Sequence, residues 1–157
     1  TFAQEQFSNR QRKYASHRDD RMVYTPQMIV AGNGRIKGGS GDAVRAEIAR
    51  THSAVGLSLQ RQGDEVVITA TPNAALSGQY VVDLVRYRPQ SQVLIERGEN
   101  RGLQAEYHNI VTSWENIGTW NGKGTLNLRA RASGAAPVVV VVQRKGPAEV
   151  VAAAVLK

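Results

Sequence analysis

Residues 138–142 are five consecutive valines. β-Branched side chains are stiff at χ1 and sit better on a pleated surface than in a helix. A strand with one wet face alternates apolar and polar residues. A run that is apolar at every position is buried on both faces, so it belongs in the interior of a sheet. Pro137 stands before the run and Gln143 closes it. The chain is therefore expected to be organised around a sheet, with 137–143 as a central strand.

The surrounding segments read the same way. Val55, Leu57 and Leu59 alternate with Gly56, Ser58 and Gln60, the period of a half-buried strand. Gln62-Gly63-Asp64 is a turn, and 65–71 returns. Further strands are expected at 79–87, 92–97 and 103–114. Leu126 and Leu128 alternate with Asn127 and Arg129 to mark another. The last, 149–156, is rich in alanine, but Val150, Val151 and Val155 favour a strand over a helix. Roughly seven or eight short strands, with turn signals about every ten residues, point to a sandwich or barrel over 54–157.

Residues 1–53 read differently. Ala3, Phe7 and Tyr14 fall on one face of a helix over 2–14. A strand over 22–30 is interrupted at Thr25-Pro26. Proline cannot donate to a sheet ladder and is confined to edges, strand starts and bulges; a cis peptide, cheap only before proline, is one way to accommodate it. Gly32-Asn33-Gly34 tolerates the positive φ of a hairpin turn, and 35–37 would return. Ser40 offers a helix N-cap, with Asp42 in the first turn and Val44 and Ile48 on one face. This helix is expected to end near His52. The expected fold class is α+β, an α/β segment over 1–53 followed by an antiparallel β-sandwich.

The 41% hydrophobic content suffices for a packed core. The longest aliphatic run, 138–142, is far short of the roughly 20 residues of a membrane-spanning helix. The start is polar and lacks Met, so the chain reads as processed or partial. The absence of cysteine excludes disulfides, thiolate metal sites and thiol chemistry within these residues. Net charge is +7 with a pI near 10.1. The charge is spread: residues 1–52 hold nine Lys/Arg and five Asp/Glu, and 53–157 hold eleven and eight. Only Arg10-Gln11-Arg12-Lys13 is a local cluster, which reads as a solvated basic surface rather than a nucleic-acid footprint.

Several strings, taken in order, resemble the domain-of-unknown-function family 1223. They are residues 23–30 (Val-Tyr-Thr-Pro-Gln-Met-Ile-Val) with the Gly-Arg hairpin and helix behind them, Leu84-Val85-Arg86-Tyr87, Arg97-Gly98-Glu99-Asn100, residues 107–111 (Tyr-His-Asn-Ile-Val), and Gly146-Pro147. The resemblance spans nearly the whole chain. It implies a secreted or periplasmic bacterial protein, similar to thioredoxin-like proteins with a β-sandwich appended. The family pattern places a first strand and a cysteine-pair motif ahead of the part matched here. The resemblance therefore implies that this half was removed, lies on another chain, or was never part of this sequence.

Two places are candidates for binding. The resemblance implies a peptide- or partner-binding edge at Tyr24, Thr25, Pro26 and Gln27, where an extended chain would pair with the backbone beside a cis Pro26. The loop at Arg97, Glu99 and Asn100, together with Tyr107, His108 and Asn109, is a candidate ligand loop; its plainer reading is a tight turn with exposed ion pairs. Trp114 and Trp120 are either an exposed aromatic platform or core filling. His17, His52 and His108 have no zinc-site spacing, so no metal is expected. The glycine-rich string at 32–38 is one residue too long for a dinucleotide fingerprint and lies in a hairpin. Gly38-Gly39-Ser40-Gly41-Asp42 lacks the final glycine of a nucleophile elbow.

The functional expectation is a non-catalytic binding or structural module that docks on a protein partner or a larger assembly, with no cofactor. The alternatives are a cysteine-free fragment of a thiol-disulfide oxidoreductase and, more weakly, a basic domain that binds an anionic polymer.

Overall fold

The computed structural model describes residues 4–17, 27–37, 40–146 and 148–157. In chain order the elements are α1 (Glu5–His17), β1 (Gln27–Val30), β2 (Gly34–Lys37), α2 (Gly41–Ala49), β3 (Val55–Gln62), β4 (Glu65–Pro72), β5 (Tyr80–Leu94), β6 (Gln104–Trp120), β7 (Leu126–Arg131), β8 (Val138–Arg144) and β9 (Val150–Leu156). The strands form three sheets, β1-β2, β3-β4-β7 and β6-β5-β8-β9. Every pairing is antiparallel.

The two larger sheets pack face to face as a sandwich. Val66, Ile68, Ala70 and Ala130 point inward from one sheet, and Val82, Leu84, Val138, Val140 and Val142 from the other; they form one buried cluster. Tyr80 and Trp120 close one end, with ring centroids 5.9 Å apart. At the other end two arginines hold the β7–β8 loop: Arg61 donates to the Ala132 carbonyl at 2.9 Å, and Arg86 to those of Ser133 and Ala136. The valine run is central as expected, since β8 lies between β5 and β9.

The expected α+β class, with a partial thioredoxin-like segment over 1–53, is corrected by this architecture. Among the described residues the protein is mainly antiparallel β, with two packed sheets and two peripheral helices. The described strands of the first third are a four-residue hairpin that joins neither large sheet. A layered α/β unit needs helices that bury an apolar stripe on its sheet, and α2 buries no residue. α1 instead buries Tyr14 and Ala15, and Tyr14 bonds to β8 of the sandwich.

Local details differ too. The 27–37 hairpin places positive φ at Ala31 (48°) and Gly32 (77°), rather than over 32–34. The strands expected at 79–87 and 92–97 are one 15-residue strand, β5. Ser40 does cap α2, accepting from the Ala43 amide at 3.3 Å.

Strand length produces the most exposed feature. β8 pairs with β5 only over 80–86, whereas β6 follows β5 to Leu94. Residues 87–94 and 104–111 therefore leave the sandwich as a two-stranded arm. Two register shifts in the β5–β6 ladder, at Val82/Asp83 and Arg86/Tyr87, precede it; bulges of this kind add local twist. Pro89 faces Asn109, whose φ is 52°, where the arm begins.

Candidate functional site

The four-stranded sheet has one face in the core and one outside. Its outer face is built in cross-strand rows. Asn116, Asp83, Val141 and Ala153 form one row, and Trp114, Val85, Val139 and Val155 the next. This face is unusual in being both apolar and threaded by buried polar groups.

Asp83 is 6% exposed. Its Oδ2 accepts from Trp114 Nε1 at 2.9 Å and its Oδ1 from Asn116 Nδ2 at 3.0 Å. Gln143, 1% exposed, donates through Nε2 to the Tyr14 hydroxyl and the Ala148 carbonyl, both at 2.6 Å. Arg10 completes the network. Its Nη2 donates to Gln143 Oε1 at 3.0 Å and to the Tyr14 hydroxyl at 3.3 Å, and its Cζ lies 3.8 Å from the centroid of the Trp114 ring. Arg10 and Tyr14 are one helical turn apart, so α1 presents both to the sheet at once.

Two depressions flank Trp114. A cleft of about 680 Å³ lies beside α1, with Phe7, Arg10 and Tyr14 on one wall, Thr51, His52 and Ser53 on another, and Ile29, Val141, Val151 and Ala153 supplying apolar surface. A groove of about 410 Å³ continues toward the arm, lined by Val85, Tyr87, Val111, Val139 and Val155, with Asn109 and Lys157 at its rim. Trp114 and Val141 belong to both.

The arm extends this surface. By the alternation of the pleat, Tyr87, Val93, Ala105, Tyr107 and Val111 share the face of the groove, along with Pro89, Ser91 and Asn109. Leu103, opposite Ile95 at the tip, is 59% exposed. The opposite face carries Arg88, Gln90, Gln92, Gln104, Glu106 and His108, with Ile110 at its base and Leu94 near the tip. There Gln104 donates to Gln92 at 2.8 Å, Gln92 to Glu106 at 3.3 Å, and His108 Nε2 stands 2.7 Å from Glu106 Oε1. The Glu106 carboxyl is held below its ordinary value, first by the hydrogen bond from Gln92, then by those from Gln90 and His108.

The residues singled out in the sequence are dispersed. Tyr24, Thr25 and Pro26 lie outside the described residues; Gln27 opens β1 opposite Lys37. Arg97, Glu99 and Asn100 sit in the exposed turn at the arm's tip. Tyr107 and Asn109 share one face of the arm and His108 the other, so these six do not converge. Of the two tryptophans, Trp120 fills the core and Trp114 faces the cleft. Arg10, Tyr14, Asp83 and Gln143 carried no motif. The available signal was Arg10 and Tyr14 at helical spacing within the basic cluster. Among the described residues no group of three or more His, Asp or Glu is placed to hold a metal, and no helix is long and apolar enough to cross a membrane.

The family described as "Protein of unknown function (DUF1223)" matches residues 1–143. The crystal structure of a protein from Agrobacterium tumefaciens, solved by a structural genomics consortium, is similar in fold. It superposes with a TM-score of 0.83 at 23% identity, over 99% of this chain and 72% of that one. No curated protein matches the sequence.

Proposed function

This chain belongs to the DUF1223 family, and we propose that it serves as a binding module, without catalysis of its own, that docks on a protein partner. The partner meets the outer face of the four-stranded sheet and the arm that prolongs it. The setting we propose is the periplasm or the outside of the cell, a reading that rests on the family resemblance alone.

The observation that carries this reading is the amphipathic arm. A two-stranded ribbon is marginal in water by itself, and one with an apolar face gains from a cover. Eight residues per strand carry it about 27 Å beyond the sheet. Its more apolar face, with Ser91 and Asn109 among its residues, leads into the groove beside Trp114. A polypeptide laid along arm and groove would bury both.

Site-specific photocrosslinking in cells tests this. A photoreactive residue at Leu103 on the arm is expected to give one discrete heavier adduct. The same residue at Ser58, exposed on the opposite sheet, is expected to give none. Equal labelling from both sites, or none from either, rejects the reading.

A further inference from the structure

Among the described residues Arg10 is held in place by neutral groups. Among the described residues its partners are the Gln143 side-chain carbonyl, the Tyr14 hydroxyl and the Trp114 and Tyr14 rings, and none is a carboxylate. Only Nη2 donates to them; both two-donor edges of the guanidinium run through Nη2, so Nη1 and Nε are left as separate single donors. The positions of those donors are fixed in advance, because Gln143 is buried and is itself anchored to the Ala148 carbonyl. The carboxylate of Asp83 is already occupied by Trp114 and Asn116.

A guanidinium presented in this way suits a carboxylate, held by its charge and a single charge-assisted hydrogen bond. The same cleft has apolar surface from Phe7, Ile29, Val141 and Ala153. Its complement is therefore an apolar group with a carboxylate close by. We propose that the cleft takes the carboxyl-terminal residue of the partner polypeptide. The terminal carboxylate meets Arg10 and the apolar side chain of the same residue lies on the floor. A chain end carries both groups on one Cα, whereas an internal Asp or Glu brings only its own short methylene stem. This assignment rests on the reading of the chain as a protein-binding module.

The test is calorimetric titration of the whole chain with three probes. They are an N-acetylated tetrapeptide ending in leucine as its free acid, the same peptide as its carboxamide, and sodium dodecanoate. The free acid is expected to bind about tenfold or more tightly than the carboxamide, the worth of a charge-assisted hydrogen bond. Arg10→Gln should erase that difference, and Arg10→Lys should keep part of it, since charge remains but the guanidinium's seat over Trp114 is lost. The comparison of acid with carboxamide needs no variant, so it stands even if Arg10→Gln disturbs α1. Equal binding of acid and carboxamide overturns the carboxylate assignment and leaves the module reading in place. Absence of saturable binding by the acid at millimolar concentration, or dodecanoate binding more tightly than the peptide, also overturns it. Failure of the module reading shows separately, as absence of the Leu103 adduct.

Discussion

Arg10 lies over the face of Trp114 at 3.8 Å, while the indole N–H of that tryptophan points to Asp83 at 2.9 Å. One side chain thus joins a helix to a sheet and a cation to a buried carboxylate. The face that we assign to binding is held in shape by this junction.

Arg10→Ala should loosen α1 with little effect on the sandwich. It removes the cation–π contact and two hydrogen bonds, for a cost of about 1–2 kcal/mol. None of the core cluster belongs to α1. Hydrogen exchange is the check: α1 amides are expected to lose protection, while those of β8 keep theirs. Equal loss in both would place α1 within the cooperative core.

Trp114→Phe keeps a ring under Arg10 but takes one hydrogen bond from a carboxylate that is 6% exposed. Leaving a buried acceptor short of a donor costs about 1–3 kcal/mol. Asp83→Val in the Trp114→Phe background should recover part of the loss, because no buried charge then remains. Urea unfolding of the two single variants and the double variant measures the coupling. Strict additivity would mean that the bond contributes nothing.

Gly32 has φ 77°, and a Cβ there would overlap the Ala148 carbonyl. The neighbouring Ala31 carbonyl accepts from the Val150 amide at 2.8 Å, which ties the β1–β2 turn to β9. Gly32→Ala therefore combines backbone strain with a clash, for about 1–3 kcal/mol. A thermal melt should fall by several degrees. An unchanged melting temperature would show that the turn moves away freely.

How much of this the sequence discloses depends on what each signal measures. Period-2 alternation reports burial on one face, so β3, β4 and β7 are legible, and the all-valine run identifies β8 as central. The strands expected at 79–87 and 92–97 are read as separate, and Pro89 lies in the gap between them. In the fold it lies where β8 no longer pairs with β5, so the strand runs on and the arm is concealed. The first third misleads because helix and hairpin signals are local. Whether such pieces form their own layer depends on what they bury, and α2 buries nothing. The site is the least legible part. Arg10 and Gln143 are 133 residues apart, and neither belongs to a motif.

Glu106 on the arm's polar face should titrate below the usual glutamate range, because Gln92, Gln90 and His108 favour its charged form. The sign follows from linkage: a lowered folded value gives stability that is present above the unfolded value and lost as pH falls through the folded one. Glu106 is exposed, so the effect stays local to the arm. An NMR titration of its side-chain carboxyl reads the midpoint, and Gln92→Ala should raise it. A midpoint unmoved by that change would remove Gln92 as the main cause.

Removing the arm should separate folding from binding. No residue of the core cluster lies between 85 and 119. Replacing 89–109 by a two-residue type I′ turn shortens the connection between β5 and β6, and connection length affects stability only weakly. The trimmed chain is expected to stay within about 1 kcal/mol of the parent. Its urea m-value should fall slightly, since less surface is exposed on unfolding. A photoreactive residue at Val155 in the groove reports the binding side, with a strong adduct expected in the parent and a weak one in the trimmed chain. A trimmed chain that fails to fold would make the arm part of the core. One that folds and still gives the full Val155 adduct would confine docking to the sheet face.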